Sequence, residues 1–286
     1  MIFVKFINPM LSQQAKKITN IFFDIDYTLL DFEIGHQAAI DLLTREYNKT
    51  FSLYFDKIFQ VILEIVRSEN PNKAKEKNEF FNEITRKMSL LQNSPEPKIW
   101  SRELYAVLAG QYAKISLSAP QCIKIADQYW EAVNKNSILY PDARSLIDKL
   151  NKRKTPYHLF SSSDYRLVWR NNRWEYEPKY SKDKKIVRIT ALRAKNILPR
   201  SVTIGDPIDK PDLAFYRMML DSASKALGTI VDPSECLITG DSYIGDVEAP
   251  VRKAGFKLGF LIKRDGISGK LSESIYCINN LLEIDV

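Results

Sequence analysis

Phe22-Phe23-Asp24-Ile25-Asp26-Tyr27-Thr28-Leu29-Leu30-Asp31 is the stretch that decides the fold, because an apolar run stops there at two carboxylates one residue apart. The run Ile21–Phe23 is apolar on both faces, as a central strand of a parallel sheet is. Ligands of open α/β sheets bind just beyond the carboxyl ends of the strands, where Asp24 and Asp26 stand. Two carboxylates this close repel each other unless a divalent cation or a shared proton relieves them. The stretch predicts a buried strand that ends in a reactive site; an acidic turn is the plain alternative.

A second apolar run, Tyr157–Phe160, closes on the hydroxyl groups of Ser161 and Ser162. A hydroxyl and the backbone N–H groups at the start of a following helix would suit a phosphate oxygen. The alternative is that Ser163 or Asp164 simply caps that helix.

Lys210-Pro211 precedes an amphipathic pattern that runs through Tyr216, Met219 and Leu220. Proline fits the first turn of a helix, so the pattern places Lys210 at the helix entrance. A point charge there can neutralise a carboxylate and a phosphate together.

The run Cys236–Thr239 predicts a further core strand, followed by Gly240 and Asp241. Glycine allows close backbone approach, and Asp241 adds a carboxylate for a hard cation. Asp246, five residues on, would support the metal directly or through water.

These segments, in this order, resemble the four motifs of the haloacid dehalogenase (HAD) superfamily of phosphohydrolases: Asp-x-Asp-x-Thr, a strand ending in Ser, Lys-Pro, and Gly-Asp-x-x-x-x-Asp. The resemblance implies that Asp24 is the nucleophile, that Asp26 is the general acid and then base, and that Lys210 is the third catalytic residue. It also implies that Ser161 binds the transferring phosphoryl group, assisted by the residues Thr28, Ser162 and Lys210.

The same resemblance implies Mg²⁺ as cofactor. Its ligands would be Asp24, the backbone carbonyl of Asp26, Asp241 and Asp246. Family branches that cleave carbon–halogen bonds lack an aspartate at the position of Asp26, so the motif favours phosphoester chemistry. Many members have glycine at position 27, and Tyr27 is not expected to adopt the positive φ that glycine allows.

Length and composition suit a core with an insertion, since the chain has 286 residues and 45% apolar content. The expected core is α/β, a doubly wound, mainly parallel sheet formed by 1–31 and 140–286. An α-helical cap is expected over 32–139, where helical periodicity extends throughout. The helices expected there are Ala38–Tyr47, Phe51–Val66, Phe80–Leu91, Leu104–Ile115 and Ile123–Val133. The resemblance implies that this cap selects the leaving group.

A basic, aromatic insertion within the core is expected over 164–200. It carries eleven Lys or Arg and four Asp or Glu, so its excess of seven positive charges equals the net charge of +7 of the whole chain. Asn171-Asn172 predicts a hairpin turn within it. Nucleic acid is a conceivable ligand for such a segment, but a solvated insertion is favoured.

The three cysteines are far apart, which favours a reducing, cytoplasmic location and argues against a zinc site. His158, inside an apolar run, is expected to be structural. The start Met1–Ile7 is not expected to be a signal peptide, and no stretch is long enough to span a bilayer.

Taken together, the sequence predicts a Mg²⁺-dependent phosphomonoester hydrolase acting on a small phosphorylated metabolite such as a nucleotide or sugar phosphate. A phosphomutase with the same core chemistry is one alternative. A binding protein that uses the basic segment to contact nucleic acid or another anionic partner is the other.

Overall fold

A computed structural model describes residues 18–68, 70–162 and 164–284, apart from the side chains of 179–186, and the chain divides into two compact units. The first unit comprises 18–31, 139–162 and 192–284, and the second comprises 32–138 and 164–191. The expected absence of a signal peptide concerns Met1–Ile7, outside the described residues. Within the described ranges, no helix is long and apolar enough to cross a membrane.

The first unit is built on a seven-stranded sheet with the order β10-β11-β9-β8-β1-β4-β7, in which only β10 runs antiparallel to its neighbour. In chain order the strands are β1 Asn20–Asp24, β2 Leu30–Asp31, β3 Ile138–Leu139, β4 Tyr157–Ser161, β5 Leu167–Arg170, β6 Arg173–Tyr176, β7 Ser201–Ile204, β8 Cys236–Gly240, β9 Leu258–Ile262, β10 Gly269–Lys270 and β11 Ile275–Ile278. This mainly parallel sheet with flanking helices confirms the predicted fold class.

The α-helices are α1 Phe32–Glu46, α2 Lys49–Arg67, α3 Pro71–Lys77, α4 Glu79–Gln92, α5 Arg102–Ala113, α6 Ala119–Asn136, α7 Pro141–Arg153, α8 Pro178–Ala194, α9 Leu213–Leu227 and α10 Ala249–Ala254. A π-helical turn, Tyr243–Glu248, runs directly into α10.

Strand β1 lies at the centre of the sheet, between β4 and β8, and all of its residues are buried. Successive side chains of a strand point to opposite faces. Accordingly Ile21 and Phe23 join one apolar cluster with α7, whereas Phe22 joins another with Phe215 and Met219 of α9. Burial on both faces explains why this run is apolar without alternation.

The prediction that His158, in β4, is structural is confirmed. Its ring nitrogens lie 2.8 Å from Ser201 Oγ and 3.1 Å from Asn20 Oδ1, so it links β4 to both neighbouring strands. Burial, with a smaller effect from Arg200, lowers its pKa to about 4. The ring is therefore neutral at physiological pH.

The second unit contains the five helices that the periodicity predicts between 32 and 138, with ends that differ by several residues. One further helix, α3, was not predicted. It has no buried residue, so it carries no apolar pattern from which it could be recognised.

The segment expected as an insertion in the core is divided between the units: 164–191 groups with the helices and 192–200 with the sheet. Arg102 Nη1 donates to Asp164 Oδ1 at 2.9 Å, and Arg166 Nη1 lies 2.7 Å from Glu103 Oε1. These buried ion pairs attach the segment to α5. Their partners are more than sixty residues apart in the chain, so local pattern could not reveal them.

The predicted turn at Asn171-Asn172 is confirmed. β5 and β6 pair antiparallel on either side of it, and the two asparagines have φ of 52° and 59°. Both positions need the left-handed conformation that asparagine tolerates better than most residues.

Candidate active site

The register of the sheet brings three motif segments to one edge. Asp24 pairs with Phe160, so Ser161 lies one residue beyond it on β4. Phe23 pairs with Thr239, which places Gly240 at the level of Asp24 and Asp241 just past the strand end. Because these strands are parallel, their carboxyl ends meet at the crevice where ligands of α/β sheets bind.

Lys210 lies between two of the carboxylates. Its Nζ is 2.8 Å from Asp24 Oδ1 and 2.5 Å from Asp246 Oδ1, and all three side chains are more than nine-tenths buried. The ammonium also lies 4.9 Å from the ring centroid of Phe160. We call Asp24, Asp241, Asp246 and Lys210 the site cluster.

Burial raises the pKa of Asp24 well above its ordinary value; the opposing charge of Lys210 lowers it, and the like charges of Asp246 and Asp241 raise it further. For Lys210, burial alone would lower the pKa, but the charges of Asp24 and Asp246 outweigh burial and raise it. The lysine is therefore charged at all physiological pH values. Lys210 thus pairs with two carboxylates, and Asp241 adds a third to the site cluster.

Gly240 makes room for Asp246. A Cβ at position 240 would collide with the carboxyl group of Asp246. Asp246 lies in the π-helical turn, and its Oδ2 accepts from Ser242 N–H at 2.8 Å. Gly240 was expected to allow another backbone to come close; the group that packs against it is instead the side chain of Asp246.

The carboxylate oxygens of Asp24, Asp241 and Asp246 lie within 4.8 Å of one another. The side chain of Asp26 is not part of this group among the described residues, and its contribution through the backbone carbonyl stays a prediction. Carboxylate oxygens are the ligands that Mg²⁺ prefers, so the donor set fits this cation.

Lys210 is held in a way that differs from the sequence expectation. Helix α9 begins only at Leu213, with Asp212 as its N-cap accepting from Ala214 N–H at 2.9 Å. Pro211 therefore precedes the cap instead of occupying the first turn, because the aspartate side chain satisfies the helix N-terminus better.

Asp209 was missed by the sequence reasoning. Its Oδ1 accepts from Lys210 N–H at 2.7 Å and from Ser162 Oγ at 2.9 Å, so it joins the lysine segment to the end of β4. Gly205 permits this, since a Cβ there would collide with Asp209. The signal available in the sequence was only its place beside Lys210.

Ser161 is half-buried and Ser162 is exposed at the end of β4. The helix expected directly after them is absent from the described part of the chain, which continues into the β5–β6 hairpin instead. The described part of the chain thus places no helix between β4 and β5, and Asp164 binds Arg102 and Trp130 instead of capping a helix.

Thr28 is completely buried, and no hydrogen-bond partner of its Oγ1 is found among the described residues. This burial supports a role in shaping the loop more than direct contact with phosphate. Tyr27 has φ of 60°, so the expectation that it would avoid the left-handed region was wrong. The loop holds it there through its own hydrogen bond from Tyr27 N–H to Leu30 O at 2.8 Å.

No family model and no curated protein matches this sequence. Solved structures do match. They include the putative HAD-hydrolase YfnB from Bacillus subtilis bound to magnesium, with 15% identity, a TM-score of 0.60 and coverage of 94% of this chain and 97% of that chain. L-2-haloacid dehalogenase from Xanthobacter autotrophicus has 19% identity and a TM-score of 0.52, covering 87% and 79%. A putative beta-phosphoglucomutase from Thermotoga maritima has 16% identity and a TM-score of 0.52, covering 93% and 96%. These similarities show that the chain has the HAD-like fold.

Proposed function

We propose that this chain of HAD-like fold is a Mg²⁺-dependent phosphomonoester hydrolase that works through an aspartyl-phosphate on Asp24. The observation that carries the proposal is the site cluster: one buried ammonium bridges Asp24 and Asp246 beside a third carboxylate. A small phosphorylated metabolite, such as a nucleotide or sugar phosphate, is the proposed substrate.

Mg²⁺ would be held by the carboxylates of Asp24, Asp241 and Asp246 and by the backbone carbonyl of Asp26. When bound, it supplies the positive charge that offsets repulsion between the Asp24 carboxylate and a dianionic phosphate. The grouping of the Asp24, Asp241 and Asp246 carboxylate oxygens within 4.8 Å of one another supports this assignment, because a divalent ion would relieve their mutual repulsion.

In the first proposed step, a carboxylate oxygen of Asp24 attacks phosphorus in line, and the bond from phosphorus to the leaving oxygen breaks. Asp26 gives its carboxyl proton to that leaving oxygen, so an alcohol departs. Lys210 stays protonated and compensates the charge that Asp24 brings to the phosphate.

In the second step, the Asp26 carboxylate takes a proton from water, and the resulting oxygen attacks phosphorus on the aspartyl-phosphate. The bond between phosphorus and Asp24 breaks, which releases phosphate and restores both carboxyl groups. Ser161 and Ser162, at the end of β4, are proposed to hold the phosphoryl oxygens, and Ser162 is oriented by Asp209.

The helical unit is proposed to act as the cap that selects the leaving group. The nucleic-acid alternative finds less support, since Arg170 and Arg173 of the hairpin already pair with Glu177 and Glu175 at 2.7 Å and 2.8 Å. These pairs remove part of the positive charge that phosphate binding would need.

The test is phosphate release from a broad panel of phosphomonoesters, with Mg²⁺ or with EDTA. We expect turnover that needs Mg²⁺ and falls by at least ~10³-fold in Asp24→Asn, because the nucleophile is lost. Asp221→Asn, the same chemical change at an exposed position of α9, should behave as wild type.

Turnover that survives Asp24→Asn would overturn the mechanism. Transfer of the phosphoryl group between substrate hydroxyls without phosphate release would show a mutase instead.

A further inference from the structure

Arg264 follows β9 and contacts the loop that carries Asp26. Its Nη2 donates to the backbone oxygen of Thr28 at 2.8 Å, and its Nη1 donates to Asp142 Oδ1 and Oδ2 at 3.0 Å and 2.8 Å. Its guanidinium carbon lies 3.4 Å from the ring centroid of Tyr140. A single side chain thus holds two segments that are distant in sequence.

Backbone hydrogen bonds also hold the loop between β1 and β2. Ile25 O accepts from the N–H groups of Leu29 at 3.0 Å and Leu30 at 2.9 Å, and Tyr140 N–H donates to Leu29 O at 3.0 Å. Thr28 O accepts from a side chain, that of Arg264. This contact lies next to Tyr27, whose left-handed conformation is unfavourable for a residue with a Cβ.

Asp142 keeps the guanidinium in place. The carboxylate is 7% exposed, and it also accepts from Leu281 N–H at 2.8 Å and Ala143 N–H at 2.9 Å. A carboxylate fixed by backbone donors orients the planar fork of an arginine, which leaves Nη2 aimed at Thr28 O. Lysine, a point charge on a flexible stem, cannot bind both partners in this geometry.

We infer that Arg264 is a positioning residue for the proposed acid–base group. Through the Thr28 carbonyl it fixes the loop 25–30, and so it fixes where Asp26 presents its carboxyl group to the leaving oxygen. The inference rests on the proposed function, in which Asp26 protonates that oxygen. Arg264 itself does not touch the reacting atoms.

The leaving group provides the test. An alkyl phosphate needs a proton on its leaving oxygen, whereas a nitrophenyl phosphate scarcely does, because nitrophenolate is already a stable anion. The value of kcat/KM reports the step in which this bond breaks. In Arg264→Lys we expect kcat/KM to fall about tenfold for alkyl phosphates and less than about threefold for nitrophenyl phosphate, since only the former depends on general acid catalysis.

Arg252→Met, a more drastic change at an exposed arginine, is the control. Arg252 lies on α10 with a side chain that is 59% exposed, and it pairs with Glu248 one helical turn away at 3.3 Å. It should leave both rates and their ratio unchanged. Asp142→Asn should shift the ratio in the same direction as Arg264→Lys but less, because the arginine keeps its contact with Thr28.

Hydrogen exchange gives a readout that does not depend on turnover. The amides of Tyr27, Leu29 and Leu30 should exchange faster in Arg264→Lys than in wild type or Arg252→Met. A wild-type protein that hydrolyses neither phosphate would overturn the proposed function, and exchange alone would then decide whether Arg264 holds the loop. Equal losses for both leaving groups, or unchanged exchange of these amides, would overturn the inference.

Discussion

Each unit of this chain contains a group of buried charged side chains, and the two groups differ in the ratio of cationic to anionic side chains. The site cluster of the first unit sets one ammonium against three carboxylates. The second unit holds what we call the strut cluster, Arg102, Glu103, Asp164 and Arg166, in which two guanidinium groups pair with two carboxylates, and Arg166 Nη2 also lies 3.0 Å from the 40% exposed carboxylate of Asp127. In the first cluster the carboxylates outnumber the ammonium, and in the second each guanidinium has a carboxylate partner.

The strut cluster is also stabilised by neutral neighbours. Trp130 Nε1 donates to Asp164 at 2.7 Å, and Ser101 Oγ donates to Glu103 at 2.6 Å. Burial still raises the pKa of Glu103 to about 7, against the opposing charge of Arg166. Aromatic rings surround the Arg102 guanidinium carbon at centroid distances of up to 5.8 Å, and they belong to Phe59, Trp100, Tyr105, Tyr129 and Trp130.

This comparison distinguishes charged side chains that stabilise the fold, in the strut cluster, from carboxylates with the ligand chemistry of a cation site, in the site cluster. A balanced network of paired charges has no excess charge left to bind an ion, whereas a buried excess of carboxylates is tolerable mainly when a cation completes it. Changes to either cluster, or to the solution around it, should therefore have different effects on activity and on stability.

Removing the ammonium should break the site cluster most severely. In Lys210→Met we expect kcat/KM to fall by about 10³-fold or more, roughly 4 kcal/mol of transition-state stabilisation, because Asp24 and Asp246 lose the charge between them. Steady-state phosphate release measures this, and Lys225→Met on the exposed face of α9 is the control. Activity within tenfold of wild type would remove Lys210 from the proposed mechanism.

Breaking the strut cluster should cost stability. Arg166→Met removes the guanidinium from the buried Glu103 and from Asp127, which should lower the free energy of unfolding by about 3–5 kcal/mol. All four tryptophans, Trp100, Trp130, Trp169 and Trp174, lie in the second unit, so tryptophan fluorescence during urea unfolding reports this unit.

The double variant Glu103→Gln with Arg166→Met should recover part of the loss, since Glu103 no longer leaves an unpaired charge. Arg86→Met, at an exposed position of α4, should change stability by less than about 0.5 kcal/mol. A double variant as unstable as the sum of the two single variants would contradict the charge argument.

Adding Mg²⁺ should stabilise the protein through the site cluster only. At about 100 times its dissociation constant, Mg²⁺ should raise the free energy of unfolding of wild type by about 2.7 kcal/mol relative to EDTA. Urea unfolding followed by circular dichroism measures this. The gain should vanish in Asp241→Asn and persist in Asp221→Asn; an equal gain in both variants would show that the ion binds elsewhere.

His158 differs from both clusters because it is buried in its neutral form. Its protonation should have the smallest effect on stability among these predictions. Its pKa of about 4 lies below the ordinary 6.5, so between these values the unfolded chain binds more protons than the folded one. Stability is therefore full above pH 6.5 and is lost as the pH falls towards 4. Between pH 7 and 5 the loss attributable to His158 should be about 2 kcal/mol.

Urea unfolding of wild type and His158→Gln at both pH values isolates this contribution, because other titrating groups affect both proteins alike. The variant should show a pH dependence that is smaller by that amount. An identical dependence in the two proteins would mean that the pKa of His158 does not differ between the folded and the unfolded chain.

Much of the fold could be predicted because its signals are local. The doubly apolar run before Asp24 marked the central strand, and the spacing of apolar residues marked five helices of the second unit. The site segments could be predicted from where strands end, since parallel strands bring their carboxyl ends to one edge. The functional roles of these residues stay predictions until the variants are measured.

The features that were missed depend on partners far away in the chain. Asp209 joins Ser162, 47 positions earlier, and Asp164 binds Arg102 at a separation of 62. The left-handed conformation of Tyr27 lies in a loop that Arg264 reaches across 236 positions, through Thr28. No periodicity or motif within a short window carries such contacts.

The sequence by itself determined the central strand, five helices of the second unit and the carboxylates at the strand ends, because burial and backbone preference act on neighbours in the chain. Only the tertiary structure decided which charges are paired. It left the site cluster with one ammonium for three carboxylates and gave the strut cluster a partner for every charge. Charge pairing depends on distances between residues that only the fold brings together, and it is the physical property in which the two clusters differ.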